Sequence, residues 1–120
     1  MKIGIVGSGM IVKVALDALE KLKENIEKIA ICDRKESLEI IKDLGVKYNI
    51  SKIYTDYEEL LKDENIDTVY LGIINSMHYE YCKKALESGK NVICEKPFTS
   101  NIREFKELID LAKSKNLFLF

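Results

Sequence analysis

Three short segments carry residues whose types and spacing could do chemistry. Glu95-Lys96-Pro97 follows the apolar run Asn91-Val92-Ile93-Cys94, at the point where a buried strand would end. A charged pair placed there stands at the carboxyl edge of a sheet, where open α/β folds bind their ligands. Near the other end of the chain, Gly7-Ser8-Gly9 follows Lys2-Ile3-Gly4-Ile5-Val6, and apolar residues then recur with helical period at Ile11, Val14, Ala15, Ala18, Leu19 and Leu22. Strand, glycine turn and helix in that order open a dinucleotide-binding unit. Gly7 permits the tight turn, Gly9 permits close approach of a pyrophosphate, and the helix N-terminus offers that anion its amides and dipole. The third segment is Asp33, which ends the run Ile29-Ala30-Ile31-Cys32. A carboxylate there can accept both ribose hydroxyls of an adenosine and disfavours a 2′-phosphate, which favours NAD. Arg34 beside it could stack on adenine or neutralise that phosphate, which keeps NADP open. Asp33 could also N-cap a segment beginning near Lys35.

Residues so far apart need a frame that brings them to one edge, and the chain supplies alternating elements. After the second strand a helix is expected from Glu36 to about Leu44, closed by Gly45 as a C-cap. A short third strand, Ile53-Tyr54, leads to a short helix from Tyr57 to about Lys62, opened by Asp56. The run from Asp67 to Ile73 reads as the fourth strand, Ser76 to Ser88 as a helix ended by Gly89, and Asn91 to Cys94 as the fifth strand. Ser100 would cap a helix through about Lys115, and Leu117-Phe118-Leu119-Phe120 would begin a sixth strand. Regular alternation of this kind means an α/β fold with a parallel sheet and right-handed crossovers. An apolar strand ending at Phe120 without a turn or polar tail suggests the first domain of a longer polypeptide.

With 120 residues the chain has room for one domain. Its formal net charge of −1 gives no electrostatic footprint for nucleic acid and no polybasic membrane patch. No apolar run approaches the roughly 18 residues that span a bilayer, and the start lacks the regions of a signal peptide, so a cytoplasmic protein is expected. Three cysteines argue against a disulfide framework, and Cys32, Cys82 and Cys94 read as small buried hydrophobes. With one histidine and no C-x-x-C, no metal site is expected.

Over its whole length the chain resembles the N-terminal nucleotide-binding domain of the glucose-fructose oxidoreductase / inositol dehydrogenase / rhizopine catabolism (Gfo/Idh/MocA) family. The segments that carry the resemblance are Gly4-Ile5-Val6-Gly7-Ser8-Gly9-Met10-Ile11, Asn75-Ser76-Met77-His78-Tyr79-Glu80 and Glu95-Lys96-Pro97. The resemblance implies a Rossmann-type doubly wound sheet in three αβα layers over residues 1–120. It also implies NAD or NADP as coenzyme, and hydride transfer to or from a sugar, cyclitol or related hydroxy compound. Coenzyme contacts are implied for Gly7, Ser8, Gly9, Met10, Ile11, Asp33, Arg34, Ile73, Asn75, Ser76, Glu95 and Lys96. Catalytic roles are implied for Lys96, whose cation would lower the pKa of a hydroxyl losing its proton, and for His78 on the helix beside the nicotinamide. Asn75 and Ser76 would cap that helix, and Pro97 would rigidify its turn, with a cis Lys96-Pro97 bond.

Two positions depart from the family pattern. Val12 stands where the fingerprint prefers glycine or alanine, so either the helix sits further from the sheet or a neighbour is small. Ile74 stands where proline is frequent. The family's second domain, which lines the substrate pocket, has no counterpart here, so this chain alone should bind coenzyme and turn over little. An exposed apolar sixth strand would offer an edge for pairing with a second copy as a homo-oligomer. Two other readings compete: a non-enzymatic nucleotide-binding or redox-sensing module, and an S-adenosylmethionine methyltransferase, in whose chemistry Glu95-Lys96-Pro97 has no role.

Overall fold

The computed structural model describes residues 1–22, 25–94 and 101–120. The expectations for Glu95, Lys96, Pro97 and Ser100 lie outside the described residues. In chain order the elements are β1 (Lys2–Val6), α1 (Met10–Leu22), β2 (Glu27–Cys32), a 3₁₀ turn at Lys35–Ser37, α2 (Leu38–Tyr48), β3 (Lys52–Tyr54), α3 (Tyr57–Leu61), β4 (Thr68–Leu71), α4 (Asn75–Glu87), β5 (Asn91–Cys94) and α5 (Ile102–Ser114). All strand pairs are parallel, in the order β3-β2-β1-β4-β5.

This order places β1 in the middle with successive crossovers running outward to either side, so the chain reverses direction across the sheet between β1 and β4. At that reversal the loops leaving β1 and β4 diverge and open a crevice at the carboxyl edge. The strands are short apolar runs because both faces are covered. On one face Ile3, Ile5 and Ile31 pack against Val12 and Leu16 of α1 and Ile41 and Leu44 of α2. On the other, Val69, Leu71 and Val92 pack against Leu60 of α3, Leu86 of α4 and Leu108 of α5. The result is the doubly wound, three-layer αβα architecture expected.

Several boundaries differ from expectation. Gly45 is not a C-cap: α2 runs through it to Tyr48, and Asn49 ends the helix in the left-handed conformation (φ 59°, ψ 49°). A Cβ on Gly45 would lie 2.7 Å from the Ile50 carbonyl oxygen, so the glycine allows the chain leaving the helix to fold back closely. Helix α4 begins one residue earlier than expected, at Asn75, with Ile74 at the N-cap and no cap bond from its side chain. The cap of α5 is Asn101, whose Oδ1 accepts from the amides of Arg103 (2.9 Å) and Glu104 (3.2 Å). Leu117 to Phe120 makes a single parallel bridge, Val92 with Leu119, rather than a full sixth strand.

Candidate functional site

The glycine loop is built by backbone geometry. Gly7 has φ +112°, its amide donates to the Cys32 carbonyl (2.8 Å), and a Cβ there would lie 2.3 Å from the Gly72 carbonyl oxygen. Any side chain at this position would push the ends of β1 and β4 apart. Gly9 differs: nothing lies within 4 Å of where its Cβ would be, so the space it leaves faces the crevice. The first turn of α1, which follows directly, carries no acidic residue to compete for its amides. An anion fits this loop.

Val12 is accommodated by a small neighbour. Its side chain is fully buried, and its Cγ2 occupies the space a Cβ on Gly72 would need, at 2.5 Å. A glycine at the end of β4 thus replaces the small residue normally found on the helix, and close packing is preserved.

At the end of β2 the Asp33 carboxylate is held from two sides. Its Oδ2 accepts from the Ser8 hydroxyl (2.5 Å) and its Oδ1 from the Arg34 amide (2.7 Å). It does not cap the following 3₁₀ turn, whose N-cap is Arg34 and has no side-chain bond. Gly7, Ser8, Gly9, Met10, Ile11, Asp33, Arg34 and Ile73 all line one cleft of about 730 Å³. Eight of the expected coenzyme residues therefore converge on one volume. Asn75 is the first residue of α4. Ser76 follows it and is exposed, outside the residues that line the cleft.

His78 lies inside the protein, at the start of α4. It is 1% exposed, lies outside the residues lining the cleft, and donates from Nε2 to the Ile73 carbonyl (2.7 Å), while Nδ1 has no partner. A ring held this way fixes the loop between β4 and α4.

Further lining of the cleft comes from residues that no sequence motif marks. Thr55, Tyr57, Met77 and Tyr81 line it. Tyr57 and Tyr81 stack with centroids 4.3 Å apart, and the Tyr57 hydroxyl donates to the Tyr81 carbonyl (2.8 Å). Met77 and Tyr81 are four apart on α4, so one helix face supplies both, and that spacing was the available signal. Burial pushes the Tyr57 phenol far above its usual range. Burial, followed by the Asp33 and Asp56 charges, lifts the Cys32 thiol to about 12, so it stays protonated and unreactive beside the cleft. Among the described residues no group of three or more His, Cys, Asp or Glu is arranged to hold a metal, and no helix is long and apolar enough to cross a membrane.

A family model described as an oxidoreductase family with an NAD-binding Rossmann fold matches residues 1–120. The chain belongs to the Gfo/Idh/MocA oxidoreductase family. It is 40% identical over 120 residues to an uncharacterized oxidoreductase of Schizosaccharomyces pombe, covering 99% of this chain and 32% of that protein. It is 39% identical over 121 residues to trans-1,2-dihydrobenzene-1,2-diol dehydrogenase of Xenopus tropicalis, covering 98% and 36%. Among solved structures it superposes on the 3-ketoreductase KijD10 of Actinomadura kijaniata, solved with NADP and TDP-benzene, with a TM-score of 0.91 at 28% identity, covering 99% and 36%. The chain thus spans about a third of the length of these Gfo/Idh/MocA relatives. It is the NAD-binding Rossmann domain of that enzymatic family, and the cleft lies where the fold's crevice rule puts a dinucleotide.

Proposed function

We propose that this chain is the coenzyme domain of an NAD-preferring dehydrogenase acting on a hydroxyl-bearing carbon of a diol, sugar or cyclitol. The observation that carries the reading is the convergence of the glycine loop and the Asp33 carboxylate on one cleft. A bound nicotinamide coenzyme supplies the hydride acceptor or donor. The chain's own residues do the rest. The loop from Gly7 to Gly9 and the first turn of α1 hold the pyrophosphate, Asp33 takes the adenosine ribose, and the wall of Thr55, Met77 and Tyr81 takes the base. Relatives named as a diol dehydrogenase and a 3-ketoreductase support the substrate class.

Lys96 stands two positions beyond Cys94, the last residue of β5. In this reading its cation stabilises the developing alkoxide as hydride leaves, and Glu95 orients it or contacts a ribose. Substrate is held by a further domain, as the relatives' greater length suggests, and residence is cytosolic. Calorimetric titration of the chain with NADH and with NADPH tests the coenzyme part: binding of NADH is expected, and failure to bind either at millimolar concentration would overturn it. In a polypeptide that turns over a diol or sugar, Lys96→Ala should lower kcat by about 10²-fold or more with NADH affinity nearly intact. Unchanged kcat would remove Lys96 from the chemistry.

A further inference from the structure

Ser8 sits in the middle of the glycine loop, and its hydroxyl is turned away from the loop's own amides toward β2. It donates to Asp33 Oδ2 at 2.5 Å across 25 residues of chain, while the Arg34 amide donates to Oδ1 at 2.7 Å. A carboxylate offers about four lone-pair sites, so these two bonds orient the group and leave one site on each oxygen open. Two open acceptors side by side match a ribose 2′,3′-diol. They also fix a full negative charge where a 2′-phosphate would have to go. The same corner holds the opposite charge, because Arg34 lines the cleft as well. An Asp33 free to rotate out could let Arg34 meet the phosphate instead. The Ser8 and Arg34 amide bonds together oppose that rotation, and of the two only the Ser8 bond is made by a side chain that can be removed.

We infer that Ser8 is a positioning residue for coenzyme choice: through its bond to Asp33 it decides which of the two charges at this corner faces the 2′ position. The inference rests on the reading of Asp33 as the ribose residue. It adds a chain position that the glycine fingerprint itself leaves open, and the determinant acts through the carboxylate rather than on the pyrophosphate.

The test is titration of the chain with NADH and with NADPH in five forms: unmodified, Ser8→Ala, Ser8→Thr, Asp33→Ala, and Ser8→Ala combined with Asp33→Ala. The unmodified chain should bind NADH more tightly. Ser8→Ala should shift the NADH-to-NADPH affinity ratio about tenfold toward NADPH, the scale of one hydrogen bond to a charged group. Ser8→Thr, which keeps the hydroxyl, should restore the ratio. With Asp33→Ala already present, adding Ser8→Ala should leave the ratio where Asp33→Ala alone puts it. Equal loss of both dinucleotides in Ser8→Ala would make Ser8 a general loop residue and overturn the inference while the coenzyme reading stood. A shift that persists without Asp33, or an unmodified chain that prefers NADPH, would overturn it too. A chain that binds neither dinucleotide overturns both.

Discussion

The two edges of the one sheet are built on opposite terms. At the amino edge polar groups find partners within the chain. Lys90, 7% exposed, donates from Nζ to the carbonyls of Asp63 (2.8 Å) and Ile66 (2.6 Å), and Asp67 bridges the starts of β1 and β4 by accepting from the Lys2 amide (3.1 Å) and the Thr68 hydroxyl (2.7 Å). At the carboxyl edge Ile74, the N-cap of α4, offers no side-chain cap, and Gly9 leaves open space just before the first turn of α1. Buried polar groups are ordinarily satisfied, and exceptions gather where a ligand belongs. One edge therefore stabilises the fold, and the other is kept ready for a dinucleotide.

The comparison breaks most severely at Gly7. Alanine there meets the Gly72 carbonyl oxygen at 2.3 Å in a backbone conformation that L-residues rarely adopt. Gly7→Ala should lower stability by about 2–5 kcal/mol in urea unfolding and abolish NADH binding in whatever remains folded. A well-folded Gly7→Ala chain that still binds NADH would show that the carboxyl edge is not shaped by this contact.

Gly72→Ala should cost about 1–3 kcal/mol because its Cβ would overlap Val12 Cγ2. Here a second substitution sharpens the point. Val12→Ala vacates that space, so the double variant should be more stable than the sum of the two single effects predicts, as read by a double-mutant cycle of unfolding midpoints. Strict additivity would mean that helix and sheet are not set apart by this pair.

At the amino edge Lys90→Met keeps the stem but strands two carbonyls, with an expected loss of about 1–3 kcal/mol. NADH affinity should be unchanged, since Lys90 lies outside the cleft. A variant that weakened NADH binding without loss of stability would join the two edges and contradict their separation.

What could be read from sequence follows the same division. Gly7, Gly9 and Asp33 announce themselves because a turn, an open approach and a strand-end charge are local requirements. The partners that make them specific are not local. Ser8 meets Asp33, Val12 meets Gly72, and Tyr57 meets Tyr81 only after crossovers bring separate β-α units together. Gly45 was misread for a related reason: a glycine near a helix end suggests a C-cap, but here it answers to Ile50 folding back on it, and Asn49 takes the left-handed turn. His78 drew attention as the single histidine of the chain, whereas burial and the Ile73 carbonyl assign it to the loop.

The smallest effect concerns acid. Burial alone would raise the Asp63 carboxyl, but hydrogen bonds from Lys52 Nζ (2.9 Å), the Tyr54 hydroxyl (2.8 Å) and the Asn65 amide (2.9 Å) outweigh it and bring the group down from 3.8 to about 2. Because the folded value lies below the unfolded one, the stabilisation is complete above about pH 4 and is lost as pH falls through about 2. Lys52 is well exposed, so solvent screening limits the contribution to about 1 kcal/mol or less. Asp63→Asn should flatten the fall of the thermal midpoint between pH 4 and pH 2 relative to the unmodified chain, while NADH affinity at neutral pH stays unchanged because Asp63 lies outside the cleft. If Asp63→Asn weakened NADH binding instead, a carboxylate that braces the fold would also be shaping the ligand edge, and the division between the two edges would fail.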